Sequence, residues 1–267
     1  MKKLLTIAGS DSSGGAGIQA DMKTFSAHGC YAMSVITAIT AQNTVAVKDV
    51  MDVPPEMVKA QMDAVFEDVF PDGVKVGMVS AIATIATIAE GLKKYSPKIL
   101  VVDPVMVSKS GYHLLRPEAV ETLRTELLPL ANLITPNIPE AEILCGFAIE
   151  SKEDMLKAVE EMIKNGCKAV LLKGGHRTED ADDLVFDGEV FHWLPGKRVK
   201  TQNTHGTGCT ISSAITANLA KGYPLPEAVR LAKEYITMAI EHALAIGSGC
   251  GPTHHFYQLW KKAGMAE

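Results

Sequence analysis

Between Val74 and Lys173 the chain repeats one unit, and that repetition limits the folds open to it more than any other feature. The apolar run Val74 to Met78 precedes an amphipathic stretch from Ala81 to Tyr95. Ile99 to Val102 precedes a helix opened by Pro117, and Leu133 to Thr135 precedes a helix that begins near Pro139. Ala169 to Lys173 follows a helix that Ser151 and Asp154 box at its start and Gly166 closes. Strands that alternate with helices pair in parallel, and a parallel sheet is covered by helices on both faces.

The flanking segments extend the pattern. Leu4 to Ala8 is a strand that runs into a glycine-rich loop, after which Ile18, Met22 and Phe25 mark a helix ended by Gly29. Met33 to Thr37 is a second strand, and Val45 to Val47 a third. Pro54 and Pro55 open a helix with Val58, Met62, Val65, Phe66 and Val69 on one face. Asp187-Gly188 between Leu184–Phe186 and Val190–Trp193 is a hairpin signal, and a last long helix runs from near Pro226 to about Ala245. The expected fold is α/β, a three-layer arrangement with a mostly parallel central sheet flanked by helices and a small β hairpin added. Residues 1–267 are read as a single domain, because no linker, low-complexity segment or repeat divides them.

A net charge of −5 argues against a nucleic-acid footprint or a basic membrane face. No segment reaches the roughly 18 continuous apolar residues of a membrane helix. Lys2 and Lys3 before Leu4 to Ala8 imitate a signal peptide, but the apolar run is too short before it meets Asp11. The five cysteines are odd in number and never form a Cys-x-x-Cys pair, which suits a reducing compartment and disfavours structural zinc. A cytoplasmic protein is expected.

The chemistry gathers at loops. Thr204-His205-Gly206-Thr207-Gly208-Cys209-Thr210 leads into Ile211, Ala214, Ile215 and Leu219, one face of a helix that stops at Gly222. The first amides of a helix lack internal partners and its dipole adds positive charge, so a glycine loop at that point attracts an oxyanion, with phosphate as its natural guest. Asp11, Met78, Asp103, Asn137 and Lys173 each sit at or just past the end of an expected strand, where a parallel sheet binds its ligands. Two familiar glycine motifs fail. Gly15-Ala16-Gly17-Ile18-Gln19-Ala20 fits the dinucleotide fingerprint, but the strand ends too early and no acid lies between Ile36 and Thr40. Gly9 to Gly14 has P-loop spacing, but Gly15 stands where the lysine belongs. Phosphoryl transfer needs backbone donors, a cation near the phosphates and a carboxylate or amide shell for Mg²⁺; the second glycine loop, Lys173-Gly174-Gly175 and Asn137-Ile138-Pro139-Glu140 supply these types.

With these residues assembled, the chain resembles the ribokinase-like superfamily and, within it, the hydroxymethylpyrimidine/phosphomethylpyrimidine kinases of thiamin synthesis. The resemblance spans nearly the whole chain: Thr6 to Asp11 with Ser13 to Asp21, Ala41-Gln42-Asn43-Thr44, Lys75-Val76-Gly77-Met78, Asp103-Pro104-Val105-Met106, Thr135 to Ala141, Lys173-Gly174-Gly175-His176, Asn203 to Thr210, and Gly251 to Phe256. It implies a kinase that uses ATP and Mg²⁺ to phosphorylate 4-amino-5-hydroxymethyl-2-methylpyrimidine and then its monophosphate; a pyridoxal or pyridoxine kinase is the alternative on the same scaffold. It implies ATP along Lys173, Asn137, Thr207 and Gly208, and the pyrimidine beneath the loop that begins at Gly9. Gln42 would bond the ring edge, Asp21 would help position it, and Met78 and Val105 would pack beside it. Asn137 and Glu140 match the Mg²⁺-organising pair, and Asp103 a second acid near the metal. Gly206 to Cys209 would stabilise the transferred group. Cys209 stands where the wider superfamily places an aspartate base, which leaves two roles open for the thiol: a base, or a shaper of the oxyanion loop. A homodimer is implied by the family alone. Two other classes are weighed: a non-catalytic sensor, which has no need of a γ-phosphate site, and a nicotinamide oxidoreductase, which lacks its acid. His205, His254 and His255 are read as core or surface residues.

Overall fold

The computed structural model describes residues 1–108, 111–175 and 181–265; His176, the last residue of the Lys173 block, lies outside them. The chain opens with β1 (Lys3–Asp11), α1 (Gly17–Ala27), β2 (Tyr31–Gln42), β3 (Val47–Asp52) and α2 (Pro55–Asp68). In α2, Pro55 starts the helix where its missing N–H costs nothing, and Val58, Met62 and Phe66 face inward. Then come β4 (Gly73–Val76), α3 (Ile82–Tyr95) and β5 (Leu100–Val102).

The segment opened by Pro117 departs from the expected single helix. Tight turns at Pro117–Ala119 and Leu128–Leu130 enclose a short α4 (Val120–Thr122) and a wide turn at Leu123–Leu127. Pro129 has no N–H to give the ladder, and the irregular winding lets Leu123, Leu127 and Leu128 all reach the core. The chain continues through β6 (Leu133–Ile134), α5 (Ile138–Cys145), α6 (Lys152–Lys164), β7 (Val170–Leu172), β8 (Asp183–Phe186) and β9 (Phe191–Leu194). It ends in α7 (Thr207–Ala220), α8 (Leu225–Glu241) and a short α9 (Tyr257–Lys262). The Ser151/Asp154 capping box is formed, and Asp187 Oδ1 accepts the amides of Glu189 and Val190 to close the hairpin. The third strand begins at Val47, not Val45, because Asn43 Oδ1 takes the amide hydrogens of Val45 and Ala46 for a turn.

Among the described residues one nine-stranded sheet results, in the order β3-β2-β1-β4-β5-β6-β7-β8-β9. Strands β2, β1, β4, β5, β6 and β7 are parallel, while β3 at one edge and β8 and β9 at the other are antiparallel. Alternate side chains feed the two covered faces. Val102, Ile134, Val170 and Leu172 pack with α2, α3, α5 and α6, whereas Val101, Leu133 and Leu171 pack with α7 and α8. Phe25 of α1 joins Ala217 and Ala220 of α7 in a third cluster. The order reverses at β1, with β2 on one side and β4 on the other, so a crevice opens at the carboxyl ends of the parallel strands.

Candidate active site

That crevice is a cleft of about 880 Å³. Its walls include Gly9, Gln42, Met78, Asp103, Val105, Asn137, Glu140, Lys173, Gly206, Thr207, Gly208 and Cys209. Twelve of the thirteen site residues expected from the sequence are therefore brought to one cavity. Asp21 is the exception. It is fully buried beneath the floor, where its carboxylate accepts from Thr6 Oγ1 at 2.6 Å, Ser213 Oγ at 2.7 Å and Lys75 Nζ at 2.9 and 3.0 Å. These bonds tie α1, β1, β4 and α7 together, and Asp21 does not line the cleft in which the ring was expected.

On the wall formed by β5, β6 and β7, Lys173 Nζ pairs with Asp103 Oδ1 at 2.9 Å, and Thr135 Oγ1 donates to the same oxygen at 3.0 Å. Burial opposes the Lys173 charge, but Asp103 and then Glu140 outweigh it and hold the ammonium above its usual range. Directly behind the lysine, Gly174 donates its amide to Asp183 Oδ1 at 2.8 Å, and Lys233 pairs with the other oxygen of Asp183. Asn137 and Glu140 form a capping box at the start of α5: Asn137 Oδ1 accepts the Glu140 amide at 2.9 Å, and Glu140 Oε2 accepts the Asn137 amide at 2.8 Å. Burial pushes the Glu140 carboxyl up to about 7; Lys173 opposes this and Asp103 adds to it.

The opposite wall is the start of α7. Gly206 precedes the helix with φ +79°, and among the described residues no side chain caps this end. Thr207 donates its amide to the Thr204 carbonyl at 3.3 Å, while among the described residues the Gly208 and Cys209 amides keep their positive ends for a ligand. A Cβ on Gly206 would stand 1.8 Å from the Gly15 carbonyl oxygen, so the two glycine loops press backbone to backbone. Cys209 is half-buried, and its thiol is pushed up to about 11: burial leads, Lys75 opposes, and Asp21 and Asp103 add. The thiol is neutral near pH 7.

Between the walls lie Asp11, expected there from its strand end, and His205, which the sequence assigned to the core or surface. The Asp11 carboxylate accepts from Ser13, from the Gly15 and Ala16 amides, and from His205 Nε2 at 2.8 Å. Burial would raise this carboxyl, but the bonds from His205 and Ser13 hold it at about 2. His205 had a weak signal in lying inside the glycine loop; its partner Asp11 comes from the far end of the chain. The α8 face of Lys233, Ile236, Thr237 and Ile240 also lines the cleft, and its helical spacing is indistinguishable from an ordinary core stripe.

The family model described as phosphomethylpyrimidine kinase matches residues 11–254. A hydroxymethylpyrimidine/phosphomethylpyrimidine kinase of Rhizobium meliloti is 57% identical over 261 residues, taking in 96% of this chain and 98% of that protein. The Bacillus subtilis protein of the same name is 48% identical over 256 residues, 95% and 94% of the two chains. Among solved structures, a phosphomethylpyrimidine kinase from Clostridium difficile is similar with a TM-score of 0.81 at 55% identity, covering 90% of this chain and all of that one. An ADP complex of Bacillus subtilis pyridoxal kinase gives 0.89 at 40% identity, covering 96% and 98%.

Proposed function

We propose, because the chain belongs to the phosphomethylpyrimidine kinase family, that its cleft transfers the γ-phosphoryl group of ATP to the hydroxymethyl group of 4-amino-5-hydroxymethyl-2-methylpyrimidine and then to the resulting monophosphate. The observation that carries this reading is that one cavity holds the uncapped start of α7, the Lys173 ammonium and the Gln42 amide. In both steps an acceptor oxygen attacks the γ-phosphorus in line. The amides from Gly206 to Cys209 receive the equatorial oxygens, Lys173 and Thr207 the phosphates, and Gln42 orients the ring while Met78, Val105 and Gly9 enclose it. The apolar side chains of Ile236 and Ile240 on α8 suit the adenine.

The acid set fits Mg²⁺. Glu140 and Asp103 offer hard oxygen donors on one wall, and the buried Glu140 carboxyl gains from a neighbouring cation. Among the described residues no three His, Cys, Asp or Glu side chains gather into a closed metal cage, which suits an ion held by one or two carboxylates together with phosphates. Bound there, Mg²⁺ supplies charge neutralisation along the triphosphate. Asn137 keeps the Glu140 carboxylate in place through the capping box.

Cys209 is read as a shaper of the oxyanion loop. A thiol pushed up to about 11 is almost wholly protonated at pH 7 and is a poor initial base. A loose transition state asks little for early deprotonation of the alcohol. Cys209→Ala is expected to lower kcat by less than about tenfold; a loss of about 10²–10⁴ in steady-state assays would instead establish an essential base.

The direct test is ADP release with ATP and Mg²⁺ and a panel of acceptors: the aminopyrimidine, its monophosphate, pyridoxal, pyridoxine and ribose. Preference for the first two is expected, and preference for pyridoxal would overturn the substrate. Gln42→Leu is expected to lose pyrimidine turnover by roughly 10²-fold or more while ADP binding, read by calorimetry, is kept. Unaltered pyrimidine turnover would remove Gln42 from the reading. The same reading includes a cytoplasmic setting, supported by five free cysteines, and two chains per particle. The cross-strand pair Ile39 and Met51 is exposed on the β2–β3 edge and offers an apolar face to a second copy, which light scattering tests.

A further inference from the structure

The clamp that holds Gln42 fixes more than its position. Asp11 receives only donors: Ser13 N at 2.8 Å and Ser13 Oγ at 2.7 Å on Oδ1, and Gly15 N at 3.0 Å, Ala16 N at 2.8 Å and His205 Nε2 at 2.8 Å on Oδ2. A carboxylate so surrounded is ionised and has no hydrogen to give, so the hydrogen in its contact with His205 sits on the imidazole Nε2. That same Nε2 lies 3.2 Å from Gln42 Nε2, while Gln42 Oε1 lies 3.3 Å from Thr40 Oγ1. In this sense the amide N–H meets a ring N–H. The Thr40 hydroxyl hydrogen, for its part, is directed at the Ser10 carbonyl at 2.9 Å. Half a turn of the terminal amide puts its oxygen on His205, where it shares the Nε2 hydrogen with Asp11 as the longer branch of a three-centre hydrogen bond, and its nitrogen on Thr40, to which it donates.

We infer that His205, held by Asp11 and assisted by Thr40, sets the sense of the Gln42 amide and so the order of donor and acceptor offered to the acceptor substrate. An amide has two N–H hydrogens and two oxygen lone pairs. The clamp uses one of each and leaves one of each for the cleft, with the carbonyl on the His205 side. A 4-aminopyrimidine presents the complement, an amine N–H next to a ring nitrogen. An amide turned the other way would set its N–H against that amine. His205 is thus a positioning residue for specificity, acting through Gln42. This inference rests on the reading of Gln42 as the residue that bonds the ring.

The test compares initial rates of the full-length chain on the aminopyrimidine and on the analogue with hydrogen in place of the 4-amino group. His205→Leu is expected to raise KM for the aminopyrimidine about 10- to 100-fold, to change KM for the analogue by less than about threefold, and to leave KM for ATP unchanged. His205→Gln, whose side-chain N–H can stand near the place of imidazole Nε2, is expected to restore most of the preference. Thr40→Val keeps the shape of a buried side chain, removes the other contact, and should erode the preference in the same direction. The Thr40 variant carries the test by itself if His205→Leu fails to fold. Equal losses on both substrates, or an unchanged ratio in both variants while Gln42→Leu abolishes it, would overturn the inference and leave Gln42 as the reader. An unchanged ratio in Gln42→Leu would overturn the assignment of Gln42, and this inference with it.

Discussion

Asp21→Ala is expected to destabilise the fold by about 3–5 kcal/mol, the usual result of removing one partner of a buried ion pair. For a chain of this size that corresponds to a fall of about 10 °C in Tm. Both Asp21 and Lys75 are fully buried, and the ammonium lies 2.9 and 3.0 Å from the two carboxylate oxygens. Burial alone would drive the proton off Lys75; Asp21, followed by Cys209 and Asp103, keeps the ammonium protonated well above its usual range. With the carboxylate gone, a charge is left where water cannot reach it, and the hydroxyls of Thr6 and Ser213 lose their acceptor. The pair is no simple gain in stability, because two charges had to be desolvated to form it. Asp21→Leu combined with Lys75→Met is accordingly expected to recover more than half of the loss. Urea unfolding of the single and double variants measures both numbers. A single-variant loss below about 1 kcal/mol would show that water or a relaxed side chain compensates Lys75.

Asp21 also shows where the sequence stops being informative. The fold was legible because its signals are local and redundant: period and punctuation agree at Ser151, Gly166 and Asp187-Gly188, and the strand ends name Asp11, Asp103, Asn137 and Lys173 without any knowledge of contacts. The walls of the cleft follow from that rule. What the rule leaves open is direction. Asp21 follows the loop of residues 9–17 in the chain and Gln42 bonds Ser12 of that loop from β2, yet one points beneath the floor to Lys75 and the other lines the cavity. Glu140 was named for a metal shell by its residue type; it also caps α5 with Asn137, and its burial among Lys173 and Asp103 is a tertiary fact. The Asp11–His205 pair joins residues 194 apart in sequence. Nothing local marks either as the other's partner. The irregular winding after Pro117 was hidden for a different reason, since apolar spacing there is compatible with a continuous helix and only the position of Pro129 argues against it.

Gly206→Ala is expected to lower kcat by about 10³-fold, the upper range for losing an oxyanion donor. Two effects act at this residue and they can be separated. A left-handed φ of +79° costs any residue with a Cβ about 1–2 kcal/mol. That cost falls on stability and would leave catalysis alone. The second effect is contact: the new Cβ would stand 1.8 Å from the Gly15 oxygen and 3.3 Å from Ala16 Cα, both backbone atoms that cannot swing aside as a side chain would. The first turn of α7 must therefore draw back from the loop of residues 9–17, and the amides of Gly208 and Cys209 withdraw with it from the point where the proposed reaction develops charge. Gly222, just beyond the far end of α7, isolates the first effect, because its φ is +96° and a Cβ there meets nothing within 4 Å. Gly222→Ala should match the strain cost of Gly206→Ala in unfolding experiments while keeping kcat within about twofold. If the two variants are equally active, the helix start is not where the transferred phosphoryl group is stabilised. If only Gly206→Ala is impaired, the rate depends on how closely the two glycine loops abut, and the packing of Gly206 against Gly15 belongs to the catalytic apparatus as much as the side chains do.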